Sequence, residues 1–246
     1  MIVVPGAADG IRTCVDVALF LAWFYRHRAE HCRVLILSRR EPLPAQSGFE
    51  RHADDMIRSV EQLGFGPSVW ECLSAAGPIG QWIAVKRPDL TRGLILSSSY
   101  DYVSDRTRKV LKQWLNIAEH PASLEAFSTG LSKKYQPPPE ILSQLDPNTT
   151  PAAPKSPNPE RLQRILEELI ELDQRDLTPR ISCPTLIIAG MDDRVVPTNV
   201  QREMAERISS STLELCQGYG HFNDMENPAY QEIIQQFVTR VTAVVP

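Results

Sequence analysis

No apolar run in this chain of 246 residues reaches the roughly 20 residues that a membrane-spanning helix needs. The opening M-I-V-V-P-G-A-A-D-G lacks the basic start and long apolar stretch of a secretory signal, and reads as a strand followed by a loop. Basic excess is missing too. Lys and Arg number 26 against 30 Asp and Glu, a formal charge of −4, which offers no footprint for nucleic acid. The doublets Arg39-Arg40 and Lys133-Lys134 read as solvated surface. The five cysteines, Cys14, Cys32, Cys72, Cys183 and Cys216, are scattered, odd in number and mostly embedded in apolar segments. They read as buried thiols in a reducing, cytoplasmic compartment rather than as a disulfide framework or zinc site. No cluster of His, Cys and carboxylates has metal-ligand spacing, and no G-x-x-x-x-G-K or G-x-G-x-x-G follows a strand. No metal or other cofactor is expected, and the expected partner is a small-molecule substrate.

What the chain does contain is an alternation. Short apolar runs at 2–4, 33–37, 68–73, 93–96, 184–189 and 212–215 read as strands covered on both faces. Between them, helical periods run over 13–27, 49–63, 79–86 and 200–208, with a last one over 229–241. This order predicts an α/β domain, a mostly parallel sheet of about six strands flanked by helices. The alternation breaks between Tyr100 and Leu177. That stretch holds an aromatic helical segment over 110–117 with Trp114, then Phe127 and Tyr135, a tract of prolines from Pro137 to Pro159, and a charged amphipathic helix over 160–172. The prolines forbid a central strand there. Residues 1–99 and 178–246 therefore read as one core, and 100–177 as an insertion over the carboxyl ends of the strands.

The densest chemical signal is V-W-E-C-L-S-A-A-G-P-I-G-Q-W-I-A, residues 69–84, which passes from a strand through a cluster of small residues around Ser74 into a helix. A serine on so sharp a turn presents its hydroxyl above the sheet edge, and only small neighbours permit the turn. Ser97, Ser98 and Ser99 also follow a strand, but none leads into small residues and a helix. A hydroxyl needs a base to become a nucleophile, and an imidazole oriented by a carboxylate is such a base near neutral pH. His221 in G-Y-G-H-F and Asp193 in A-G-M-D-D-R-V-V-P are the candidates, with Asp192 as the rival acid. His27, His31, His52 and His120 lie in charged helical or loop contexts and read as surface residues.

The order Ser74, Asp193, His221 resembles that of the α/β-hydrolases, and the resemblance runs over nearly the whole chain. It implies catalytic roles for Ser74, Asp193 and His221, with the family's spacing favouring Asp193 over Asp192. It also implies an oxyanion hole from the backbone N–H groups of Ala75 and Ala7, a cap at 100–177, and Trp114, Phe127 and Tyr135 as aromatics of an acyl pocket. At helical spacing such residues are more often simple cap packing. The chain departs from the family pattern at three places. Cys72 and Ala76 replace the outer glycines of G-x-S-x-G, which predicts a slightly relaxed turn with Cys72 as a buried structural thiol. Pro5 stands where relatives often carry a bracing histidine. The amino-terminal hairpin that many relatives carry is not expected here. The implied activity is a serine hydrolase of esterase type, cleaving an ester, thioester or lactone through an acyl-enzyme. The alternatives are a C–C bond hydrolase or lyase on the same fold, and a ligand-binding or signalling protein with a vestigial triad.

Overall fold

The computed structural model describes residues 1–44, 47–120, 122–126 and 157–243. Six parallel strands form one sheet: β1 (Ile2–Val4), β2 (Leu35–Ile36), β3 (Ser68–Leu73), β4 (Thr91–Ser97), β5 (Thr185–Gly190) and β6 (Ser211–Cys216). Their spatial order is β2-β1-β3-β4-β5-β6, with every neighbouring pair parallel. Each expected strand is present.

Helices of the described residues include α1 (Ala18–Phe24), α2 (Arg26–Ala29), α3 (Phe49–Gln62), α4 (Gly77–Lys86), α5 (Asp105–Ala118), α6 (Pro159–Ile170), α7 (Thr198–Arg207), α8 (Asn223–Glu226) and α9 (Tyr230–Thr242). Side chains that alternate along a strand go to opposite faces. Trp70 and Cys72 of β3 and Leu94 and Leu96 of β4 therefore pack with Ile57 and Val60 of α3, Ile79 and Ile83 of α4, and Met204 of α7. Val69 and Ile95, one residue out of phase, pack instead with Tyr230, Ile234 and Phe237 of α9. A fully buried carboxylate also lies on that second face. Glu71 is held by the Arg28 guanidinium and by the Tyr230 hydroxyl at 2.8 Å.

A third apolar cluster joins Leu111 and Ala118 of α5 to Leu162, Ile165, Leu166 and Leu169 of α6, and reaches Ile11, Ala75, Val196 and Val200. Both of its helices begin at a side-chain cap, and α5 starts at Asp105, five residues before the helical segment expected over 110–117. The Ser104 hydroxyl accepts from the Thr107 amide, and the Asn158 side-chain oxygen accepts from the Arg161 amide, ahead of Pro159 in the first turn. The prolines from Pro137 to Pro154 lie outside the described residues, as do Phe127, Tyr135, Lys133 and Lys134. Among the described residues, no helix is long and apolar enough to cross a membrane.

Four expectations need correction. The helix expected over 13–27 starts only at Ala18, because the Thr13 amide and hydroxyl both donate to the Asp16 carboxylate, at 2.9 and 2.8 Å. That local bonding offers residues 13–16 a turn in place of a helix. Tyr25, at φ −92° and ψ 7°, then separates α1 from α2. The strand expected over 33–37 pairs over only Leu35–Ile36. Arg39 is 3% exposed and His52 1% exposed, so neither is a surface residue. Arg39 is buried in an ion pair with Asp9, and the His52 ring lies 3.0 Å from the Glu168 carboxylate, each contact crossing the fold.

Candidate active site

The site is built where three strands end. β3 stops at Leu73, and Ser74 turns the chain with φ at 47°, a left-handed conformation that is costly for a residue with a Cβ. The residues after it make a short 3-10 turn over Ser74–Ala76 and run directly into α4. Two glycines on α4 make room for the turn. A methyl at Gly77 would lie 1.6 Å from the Ser99 hydroxyl oxygen, and one at Gly80 would lie 2.5 Å from the Cys72 sulfur. Cys72 thus fills the space beside Gly80, and the turn remains tight without the family's outer glycines. Burial holds the Cys72 thiol far above its usual pKa, chiefly by desolvation, so it is an inert packing group.

β5 and β6 supply the other two side chains. Beyond β5, the Asp193 amide donates back to the Gly190 carbonyl at 3.2 Å. Asp193 is 4% exposed, and its carboxylate accepts from the Val195 and Val196 amides at 2.7 and 2.9 Å through one oxygen. Its other oxygen lies 2.9 Å from His221 Nδ1, and His221 Nε2 lies 2.9 Å from Ser74 Oγ. Asp192, the rival acid, is exposed. The loop carrying His221 is locked to the one carrying Asp193 by the Asp192 amide, which donates to the Tyr219 carbonyl at 2.9 Å. Gly190 makes that approach possible, since a methyl there would lie 2.3 Å from the Gly220 carbonyl oxygen.

Next to this chain of hydrogen bonds, the half-buried Asp224 has its carboxyl pushed up to about 6 by burial and by the Glu71 charge. The loop after β1 lies directly on the serine turn: a methyl at Gly6 would sit 3.1 Å from Ser74 Cβ and 3.6 Å from the Ala75 nitrogen. Ala7 follows in that loop, so the two backbone segments expected to supply N–H donors are adjacent. Trp114, on α5, is half-buried and packs on the cluster shared by α5 and α6. Among the described residues, no group of three or more His, Cys, Asp and Glu is arranged to hold a metal ion.

Two contributors carried no legible signal in the chain. Arg39 donates to the Gly6 and Ala75 carbonyls, at 3.3 and 2.9 Å. Ser99 donates to the Ser74 carbonyl at 2.9 Å. Only proximity in space reveals either.

The 3-oxoadipate enol-lactonase 2 of Acinetobacter baylyi is 25% identical over 193 residues, covering 76% of this chain and 69% of that protein. Among solved structures, the enol-lactonase of Burkholderia xenovorans superposes with a TM-score of 0.70 at 17% identity, covering 97% of this chain and 90% of its own. The esterase of Exiguobacterium antarcticum gives 0.71 at 19% identity, covering 98% and 91%. These two share the fold. The model of the alpha/beta hydrolase fold family matches residues 29–228, and the chain belongs to that family.

Proposed function

We propose that this protein is a serine hydrolase that opens an ester, thioester or lactone of a small to medium, apolar substrate through an acyl-enzyme. The observation that carries this reading is the unbroken hydrogen-bonded sequence from Ser74 Oγ through the His221 ring to the Asp193 carboxylate. Ser74 Oγ attacks the acyl carbon while His221 Nε2 takes its proton. The negative charge that develops on the carbonyl oxygen faces the Ala7 and Ala75 amides. His221 then gives the proton to the leaving oxygen or sulfur, and the acyl group stays on Ser74. Water attacks this acyl-enzyme with the same histidine as base, and Ser74 is regenerated.

Asp193 contributes orientation and charge. With one oxygen held by two backbone amides, the other is fixed against Nδ1. Nδ1 then carries the hydrogen, leaving the Nε2 lone pair for Ser74, and the imidazolium that forms is stabilised in place. Residues 100–177 act as a cap on a core of 1–99 and 178–246, with Trp114 among the residues that shape the acyl pocket. Similarity to a lactonase supports hydrolytic acyl chemistry over the other reactions the fold hosts.

The test is direct. Wild-type protein should hydrolyse p-nitrophenyl acetate and be labelled at Ser74 by a fluorophosphonate. Ser74→Ala should lose on the order of 10³-fold or more in kcat and all labelling, with its circular dichroism unchanged. Near-wild-type turnover by that variant overturns the assignment.

A further inference from the structure

Pro5 stands where relatives often carry a histidine that braces the oxyanion loop. We propose that Arg39 and Ser99 take over that task as positioning residues, each aiming one donor N–H by holding the carbonyl of the same peptide unit. The inference rests on the serine-hydrolase reading above.

A trans peptide is planar, and its C=O and N–H point in opposite directions. The Ala75 N–H belongs to the same unit as the Ser74 carbonyl. That carbonyl accepts from Ser99 Oγ at 2.9 Å and from the Gly77 amide. With the oxygen tied down toward β4 and α4, the Ala75 N–H is turned away from them, toward the space above Ser74. The Ala7 N–H belongs to the same unit as the Gly6 carbonyl. That carbonyl accepts from Arg39 Nη1 and from the Asp9 amide, each at 3.3 Å. The other arm of the same guanidinium, Nη2, donates to the Ala75 carbonyl at 2.9 Å. One buried side chain therefore ties the loop after β1 to the serine turn, which are the two halves of the hole.

Each positioning residue is itself immobilised. Ser99 is fully buried, and its hydroxyl fills the gap left by the absent Gly77 side chain. Arg39 is anchored by Asp9, whose Oδ2 accepts from both the Arg39 amide and Nη1 at 3.1 and 3.2 Å. Arg161 of α6 grips the same oxygen at 3.1 Å and donates to the carbonyls of Asp9, Arg39 and Arg40 at 2.8 to 3.0 Å. Glu168, also on α6, adds a compensating negative charge near Arg39. The oxyanion loop is thus pinned from the inserted segment as well as from the core. Donors fixed before the reaction cost no reorganisation when charge develops, which is the condition for an effective hole.

The experiment compares wild type with Ser99→Ala, Ser99→Thr and Arg39→Lys. The readouts are ester hydrolysis across pH and binding of an aryl trifluoromethyl ketone, whose adduct oxygen occupies the hole. Ser99→Ala removes one oxygen and no packing carbon. It should lower kcat by about 10-fold to 100-fold, somewhat less than outright loss of a donor. KM and the pH profile should stay unchanged, and ketone affinity should fall by the same factor as kcat/KM. Ser99→Thr, which retains the hydroxyl but adds a buried methyl, should keep more of kcat than Ser99→Ala while lowering the melting temperature. Arg39→Lys, which cannot reach both carbonyls with one ammonium, should show the same kcat-selective defect. Lower melting temperature with unchanged kcat and ketone affinity in Ser99→Ala and Arg39→Lys would overturn the proposal and leave the nucleophile intact. Wild-type protein that neither binds the ketone nor hydrolyses the ester would overturn both readings together.

Discussion

Gly190→Ala isolates the part of the site that is made only by tertiary packing. The glycine ends β5, three residues before Asp193, and lies against the loop that carries His221. The added methyl would meet the Gly220 carbonyl oxygen at 2.3 Å and the Tyr219 carbonyl oxygen at 2.5 Å, where real contacts essentially never fall below 3.0 Å. Both obstacles are backbone, so no rotamer change relieves them, and the loop must retreat by at least about 0.7 Å. The Tyr219 carbonyl also accepts from the Asp192 amide, so the retreat strains the bond that sets the two loops in register. His221 moves with its loop and leaves hydrogen-bond reach of either Ser74 or Asp193, each now at 2.9 Å. A misplacement near 1 Å costs about 10²-fold in rate, and overpacking of this kind costs about 1–3 kcal/mol in stability. Gly220→Ala is the control. It lies beside His221, yet its methyl would come no closer than 3.5 Å to any atom beyond its chain neighbours, an ordinary contact. The assay is kcat/KM on p-nitrophenyl acetate, with thermal melts and fluorophosphonate titration to count active sites. A fully active Gly190→Ala protein, or equal damage from Gly220→Ala, would refute the reasoning.

Two further outcomes follow from the same geometry. Asp193→Asn should cost about 10⁴-fold in kcat, since the amide favours the wrong imidazole tautomer, whereas Asp192→Asn should be near neutral; the reverse order on the same ester would move the acid to Asp192. Asp224→Asn should stabilise the protein at alkaline but not at acid pH. The folded carboxyl titrates near 6 against 3.8 ordinarily, so the folded state holds its proton longer. The cost of ionising it is absent below about pH 4, grows as the pH rises through the interval, and is complete above about 6. Melting temperatures should therefore separate near pH 8 and converge near pH 4, and an equal offset at both pH values would contradict this.

The amino-acid sequence by itself determined the sheet and most helices and singled out Ser74, Asp193 and His221 as candidates, because those signals are local. β3 occupies 68–73 as read, since a short apolar run ended by small residues admits little else. The amphipathic helix read over 160–172 is present as Pro159–Ile170, whereas the segment read over 110–117 begins earlier, at Asp105, where Ser104 caps it. Tertiary structure decided what depends on partners far apart in the chain. Arg39 and Arg40 are a charged doublet in sequence, yet Arg39 is buried because Asp9, 30 residues earlier, and Arg161 surround it. His52 is likewise internal, because Glu168 is brought to it from 116 residues away. Ser99, indistinguishable from Ser97 and Ser98 in sequence, alone among the three donates to the Ser74 carbonyl, across the gap that Gly77 leaves open. A lone charge or hydroxyl has no periodicity to read. Its burial becomes favourable only when folding supplies the opposite charge or the acceptor that offsets its lost water.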